Sequence, residues 1–419
     1  MWVEKWLTRT ALRLGAQAAG ERLREFAARV RNQGGVPLVL ALPDGGRLEF
    51  SDAPRVTLRV RDRDTLAELT TANLATLADA FVEGRLDVDG DTLEAVAAAE
   101  RLAAAAGAPV DERSPVRDSR HTREEDRAAI AFHYDVGNDF YRLWLDERMV
   151  YSCAYFREAG ATLEAAQTAK LDLICRKLRL GQGERLLDIG CGWGGLVIHA
   201  ASAFGARAVG ITLSASQHEL ASERIKAAGL SDRCEVLLLD YRDAPARFGR
   251  ASFDKVASVG MFEHVGRRRL PEYFGAVRDM LRERGLFMNH GITAADVDQR
   301  PVGSGVGDFI SRHVFPHGEL PHLHVAVREM AAQGFEVADV ESLRPHYALT
   351  LAHWSRRLDA QLDSARALVG ERKLRTWRAY LAGCSHGFAR GWMNVYQVLA
   401  SKQTEPGPTG LPLTREKAV

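Results

Sequence analysis

Long apolar runs, paired cysteines and an excess of one charge are all missing from this sequence. The five cysteines, Cys153, Cys175, Cys191, Cys234 and Cys384, stand far apart and contain no Cys-x-x-Cys pair. That spacing excludes a zinc ribbon or a disulfide framework and fits a reducing compartment. Lys and Arg number 56 against 55 for Asp and Glu, so no general affinity for nucleic acid phosphates is expected. The opening Met-Trp-Val-Glu-Lys-Trp-Leu-Thr-Arg places charges where a signal peptide or a membrane span needs an unbroken apolar stretch. A soluble cytoplasmic protein is expected. At 419 residues the chain exceeds one ordinary core, and two domains are the natural reading.

What is present divides the chain. Residues 1–31 read as a helix in which Lys5, Arg9, Arg13, Arg22, Arg24, Arg29 and Arg31 outnumber Glu4, Glu21 and Glu25, with Trp2, Trp6 and Leu7 near its start. Such a helix lies on a membrane surface or packs on its own domain with a solvated basic face. Residues 36–60 carry short apolar runs around Pro-Asp-Gly-Gly, which predicts a small sheet, and 65–106 return to helical spacing. Together 1–106 form an expected α+β domain. Charged, Pro-containing 107–127 read as a linker, 128–401 as the catalytic domain and 402–419 as a disordered tail. Within 128–401 strands are predicted at Arg185–Ile189, 206–211, 234–239, Phe253–Val259 and 285–290, with a helix at 214–228 and helix throughout 347–401. The alternation builds an α/β fold with a mostly parallel sheet.

Asp188-Ile-Gly190-Cys-Gly192-Trp-Gly194-Gly195 follows an apolar strand and opens a helix, so backbone amides can approach a ligand there. A dinucleotide site would want an acid at the end of the next strand. That strand ends Gly-Ile-Thr212-Leu-Ser instead. Asp188 suits the charged amino-acid end of S-adenosylmethionine, Asp240 and Tyr241 its adenine, and Thr212 with Gln217 its ribose. Ser214-Ala-Ser-Gln217 is also a capping box.

Reading outward, the chain contains His133-Tyr-Asp-Val-Gly-Asn-Asp139, Tyr151-Ser152-Cys153-Ala-Tyr-Phe, Gly260-Met-Phe-Glu263-His-Val-Gly and Phe315-Pro-His-Gly-Glu-Leu-Pro321. Together these resemble the cyclopropane-fatty-acyl-phospholipid synthase family, from about residue 128 to 400. The resemblance implies a class I (Rossmann-like) methyltransferase fold with helical insertions forming an acyl pocket, and S-adenosylmethionine and bicarbonate as cofactors. It carries cofactor binding onto Tyr151, Ser152, the glycine loop, Thr212, Gln217, Asp240 and Tyr241. It carries bicarbonate binding onto Cys153, Glu263, His290, the backbone of Ile292, and Tyr347, and it matches a further motif cysteine to Cys384. A nucleophilic Cys384 is not expected, because the reaction needs no covalent enzyme intermediate.

The implied reaction moves a methylene onto a cis double bond of an unsaturated membrane phospholipid, with the protein at the inner membrane face and a homodimer through the N-terminal domain. An alkene must be held in line with the sulfonium methyl and kept dry. The resulting cation suits aromatic faces such as Tyr134, Tyr155, Phe156, Phe262 and Tyr347. Two anions repel in a dry site, so Glu263 beside bicarbonate is expected to have a perturbed pKa. Relatives commonly read His-Thr-Ile-Gly where this chain has His290-Gly291-Ile292-Thr293, and Tyr-Ile-Phe-Pro-Asn where it has His313-Val-Phe-Pro-His317. Three other readings stand beside this one: a fatty-acyl C-methyltransferase giving a 10-methyl or methylene branch, an N-methyltransferase of a small amine, and a non-catalytic lipid binder. His317, His322, His324 and Glu319 lack the spacing of a zinc site, and no metal is expected.

Overall fold

The computed structural model describes residues 21, 23–68, 73–106, 121–134, 136–300, 305–316, 318–403, 407 and 410–415. Most of the basic segment 1–31 and of the linker 107–127 lies outside the described residues, as do His317 and parts of the C-terminal tail. The chain forms two compact units, one drawn from Met1–Ser114, Val302–His313 and Ser355–His386, the other from Pro115–Pro301, Val314–Trp354 and Gly387–Val419.

The first unit holds a four-stranded sheet in the order β2-β1-β3-β4, made of β1 (Leu38–Ala41), β2 (Arg47–Glu49), β3 (Val56–Val60) and β4 (Leu86–Asp89). Helices α1 (Leu74–Val82) and α2 (Thr92–Ala105) start where the side chains of Asn73 and Asp91 accept hydrogen bonds from amides that the first turn leaves open. Leu38, Leu40, Phe50, Leu58 and Phe81 fill the core.

The second unit holds a seven-stranded sheet in the order β10-β11-β9-β8-β5-β6-β7. Its strands are β5 (Arg185–Ile189), β6 (Arg207–Thr212), β7 (Cys234–Leu238), β8 (Phe253–Val259), β9 (Leu281–Ala294), β10 (Phe335–Ser342) and β11 (Met393–Lys402). Strand β11 is antiparallel to both neighbours, and β5 to β9 run parallel. Alternate residues feed two cores: Leu186, Ala208, Ala257 and Met288 on one face, Leu187, Val209, Val256 and Phe287 on the other. That double burial explains why these strands read as continuous apolar runs. The strand order reverses between β5 and β8, and a crevice opens beyond their C-terminal ends.

Two expectations are corrected. Residues 347–401 are not helical throughout: the helix Leu362–Arg390 ends at Gly391, in the left-handed conformation, and Met393–Lys402 is β11. Amides of Gly391 and Trp392 bond back to Phe388 and Gly387, closing the helix. Alternating burial at Met393, Val395 and Gln397 then sets a period of two. Nor does a disordered tail begin at 402, because Lys402 Nζ donates to Leu281 O at 2.7 Å. Leu411 packs on the core, and Gly410 O accepts from Arg179. Among the described residues no helix is long and apolar enough to cross a membrane.

Candidate active site

The glycine loop turns directly off β5. Gly190, Gly192 and Gly194 have φ of 81°, 53° and 79°. A Cβ on Gly190 would come within 2.9 Å of Met261, so the loop admits no side chain at that point. Gly190 and Cys191 donate their amides to Ile211 O, tying the loop to β6. Helix α3 (Gly195–Phe204) follows and points its N-terminus at the crevice.

A cavity here is lined by Tyr134, Tyr151, Ser152, Lys170, Asp188, the loop, Thr212, Gln217, Tyr241 and Arg242. Asp188 is buried, its Oδ1 has no hydrogen-bond partner, and burial pushes its carboxyl up to about 7 against the pull of Lys170. Thr212 Oγ1 donates to Gln217 Oε1 at 2.8 Å, which leaves the Gln217 amide nitrogen as the donor in the cavity. Ser214 Oγ accepts from Gln217 N, but the Gln217 side chain does not reach back to close a capping box, because Ser214 N bonds Thr212 Oγ1. This glycine cradle, with an unpartnered buried carboxyl and an amide donor, fits a nucleoside carrying an amino-acid tail.

The pair assigned to adenine from the sequence divides in the structure. Both oxygens of Asp240 accept from Arg242, at 2.9 and 2.6 Å, and Asp240 does not line the cavity. Arg242 also pairs with Asp126 at 3.1 Å. Asp126 in turn holds the buried His121, whose other ring nitrogen faces Glu319. Burial opposes charge on His121, yet the bonds to Asp126 and Glu319 outweigh it and hold its pKa at about 9. Tyr241 and Arg242 therefore form the wall.

Helix α4 (Leu163–Lys177) supplies two residues that sequence reasoning missed. Gln167 Nε2 donates to Val150 O and Ser152 O, and Lys170 Nζ donates to Ser152 Oγ at 2.9 Å. The available signal was two polar side chains three apart on the stripe that also carries Leu163, Ala166, Leu171 and Ile174.

The residues assigned to the anion lie on neighbouring segments. Glu263 sits on the turn Phe262–His264 after β8, and its Oε1 accepts from Ile292 N at 2.5 Å. Its Oε2 is buried without a partner. Burial pushes this carboxyl up to about 7 although the Ile292 amide pulls the other way, which is the perturbation expected of it. His290 on β9 pairs through Nδ1 with Gln397 Nε2 at 3.3 Å, its Nε2 is buried without a partner, and burial holds it neutral. Cys153 Sγ and Tyr347 N both reach Leu343 O, at 3.7 and 3.0 Å. Burial raises the Cys153 thiol far above neutrality. A carboxyl titrating near neutrality and a neutral imidazole, each with an unpartnered buried atom, fit a small oxyanion such as bicarbonate, although the Ile292 amide is already engaged and the Cys153 thiol is directed at carbonyls.

Cys384 belongs to the first unit. Burial pushes its thiol up to about 12, so it holds almost no thiolate at neutral pH. Of the five rings offered for a cation, Tyr134 lines the cofactor cavity, while Tyr155 stacks on His346 and Phe156 on His353. A Cβ on Gly291 would lie 2.0 Å from the Phe262 ring, so this chain's packing admits only glycine there. His322 and His324 share a hydrogen bond, and no group of three metal donors occurs among the described residues.

Residues 121–398 match the family profile described as mycolic acid cyclopropane synthetase. The chain is 51% identical over 381 residues to a "Probable fatty acid methyltransferase" of Pseudomonas putida, covering 91% of this chain and 96% of that one. It is 38% identical to the cyclopropane-fatty-acyl-phospholipid synthase of Escherichia coli, covering 66% of this chain and 68% of that one. The cyclopropane synthase MmaA2 from Mycobacterium tuberculosis superposes with a TM-score of 0.62 at 33% identity, covering 66% of this chain and 98% of that one. The mycolic acid cyclopropane synthase CmaA1 complexed with SAH and CTAB gives 0.61 at 35% identity, with the same coverages of 66% and 98%. The glycine cradle, the reversal of strand order above it and these relatives agree, and the chain belongs to the mycolic acid cyclopropane synthetase family as an S-adenosylmethionine-dependent methyltransferase of class I fold.

Proposed function

We propose that this enzyme transfers a methylene group from S-adenosylmethionine to a cis double bond of a phospholipid acyl chain, closing a cyclopropane ring with bicarbonate as the base. The observation that carries the reading is the pair of buried, unpartnered atoms Glu263 Oε2 and His290 Nε2. When bound, S-adenosylmethionine supplies an electrophilic methyl and bicarbonate an acceptor for the proton that this methyl must lose. The protein does the rest by placement. The Gln397 amide donates to Nδ1 of His290, so the ring proton sits on Nε2 and can be donated to an anion. Glu263, titrating near 7, carries a proton often enough to lie beside an anion without repelling it. The Tyr134 face meets positive charge developing on the acyl chain. Filled by cofactor and acyl chain together, the cavity keeps water from capturing that charge. An amine acceptor would need no such anion site, which disfavours N-methylation.

The substrate in this reading is unsaturated phospholipid at the inner membrane surface, with residues 1–106 as a lipid-binding-like domain and a homodimer formed through it. Unchanged vesicle sedimentation and activity after deletion of residues 2–31 would remove the basic segment from that picture. A second reading, transfer that leaves a methyl or methylene branch, is favoured by the name of the 51% identical relative. Mass spectrometry and proton NMR of vesicle lipids after incubation with cofactor and bicarbonate separate the two. A gain of one CH2 with upfield ring protons supports cyclopropanation. Exomethylene or branched-methyl signals in their place support the second reading, and unchanged lipid rejects both.

A further inference from the structure

The methionine end of the cofactor cavity closes on a lysine that no motif assigns. Lys170 is 1% exposed and lines the cavity together with Ser152, Asp188 and the glycine loop. An ammonium carries three donors, and among the described residues Lys170 uses one, to Ser152 Oγ at 2.9 Å. Among the described residues it makes no ion pair. Asp146 turns its oxygens to the amides of Arg148 and Val150, and Asp188 shares the cavity with Lys170 yet keeps Oδ1 without a partner. A buried cation and a buried anion in one pocket, not joined to each other, lack the pairing that buried charges require. A zwitterion placed between them completes both. An amino acid brings a carboxylate to the cation and an ammonium to the anion.

We propose that Lys170 is the cation that receives the α-carboxylate of S-adenosylmethionine, with Ser152 as its companion donor and Asp188 opposite the α-ammonium. A purely architectural role for Lys170 is already filled, since Gln167 holds the adjoining backbone through Val150 O and Ser152 O. Lys170 also acts through space on Cys153 and His290, so a role in the anion cage is the competing assignment.

The test compares two probes on the full-length protein by calorimetry: S-adenosylhomocysteine, and 5′-methylthioadenosine, which keeps the nucleoside and sulfur but lacks the amino-acid end. Lys170→Met preserves the stem and removes the charge. The homocysteine probe should weaken by roughly 10- to 100-fold, the magnitude of a charge-assisted hydrogen bond, and the thioadenosine probe by less than about 2-fold. Equal loss for both probes, or no loss for either, overturns the proposal. So does unchanged S-adenosylhomocysteine affinity accompanied by a higher bicarbonate requirement, which assigns Lys170 to the cage. Should the variant fail to fold, the wild-type protein still decides: S-adenosylhomocysteine with its carboxylate converted to carboxamide should bind roughly 10-fold or more weaker than the parent compound. Equal binding of the two overturns the assignment.

Discussion

The two halves of the site differ in how much backbone and how much side chain they present. Beyond β5 the chain presents backbone and hydrogen-bonded polar pairs: glycines at positive φ, amides fixed to Ile211 O, and Thr212 bonded to Gln217. Beyond β8 and β9 it presents side chains buried with an atom unsatisfied and protonation displaced, Glu263 towards 7 and His290 held neutral. In the proposed reading the cofactor half rests mainly on backbone shape, with Asp188 and Lys170 as its displaced charges, whereas the anion half rests on displaced protonation alone. Binding and turnover should therefore separate under mutation.

The sharpest separation is expected at Glu263. Glu263→Ala removes both the acceptor for the Ile292 amide and the proton offered to the anion, so turnover should fall on the order of 10²- to 10³-fold while S-adenosylhomocysteine affinity stays within about 2-fold. Parallel loss of affinity would show that the halves are not independent. The reverse case is Gly190→Val, which forces a side chain into positive φ and against Met261. Strain of about 1–3 kcal/mol predicts roughly 10- to 100-fold weaker S-adenosylhomocysteine, measured by calorimetry with melting followed in parallel to confirm the fold.

Much of the first half was legible because glycine spacing, strand ends and the missing ribose acid are local signals, readable from Asp188 through Thr212. What the chain hides is brought in from a distance. Arg242 stands two residues from Asp240, but the Asp126 that holds its guanidinium in place is far away in sequence, so the capture of the Asp240 oxygens was not legible from the local motif. Lys170 and Gln167 lie on an otherwise apolar helical stripe and read as part of an ordinary amphipathic helix. Strand β11 lies in the sheet between β9 and β10, a tertiary partnership that residues 393–402 do not advertise after a long helix. The cage residues emerged from family motifs alone. Taken singly, Cys153 and His290 look like core residues.

pH sharpens the comparison further. Burial pushes Asp188 up to about 7, so it is charged above that pH, and burial pushes Lys170 down to about 8, where Asp146, Cys153 and Asp188 oppose the shift, so it is charged below that pH. A zwitterion needs both charged. S-adenosylhomocysteine affinity should peak between about 7 and 8 and fall by up to about tenfold per pH unit on either side. 5′-Methylthioadenosine should show no such window. The smallest effect is expected at the cysteine outside the cage: Cys384→Ala should leave turnover within about 2-fold, because a thiol raised to about 12 offers no nucleophile. A large loss of turnover with folding intact would restore a chemical role for Cys384.

The central claim of the proposed function is that Glu263 and His290 work through a bound oxyanion. The direct measurement is ring formation, followed by proton NMR of lipid from vesicles incubated with S-adenosylmethionine in carbon-dioxide-scrubbed buffer, before and after bicarbonate is restored. The account predicts little cyclopropane without bicarbonate and recovery on its return, with S-adenosylhomocysteine affinity unchanged throughout. Full-rate ring formation in the scrubbed buffer would contradict it.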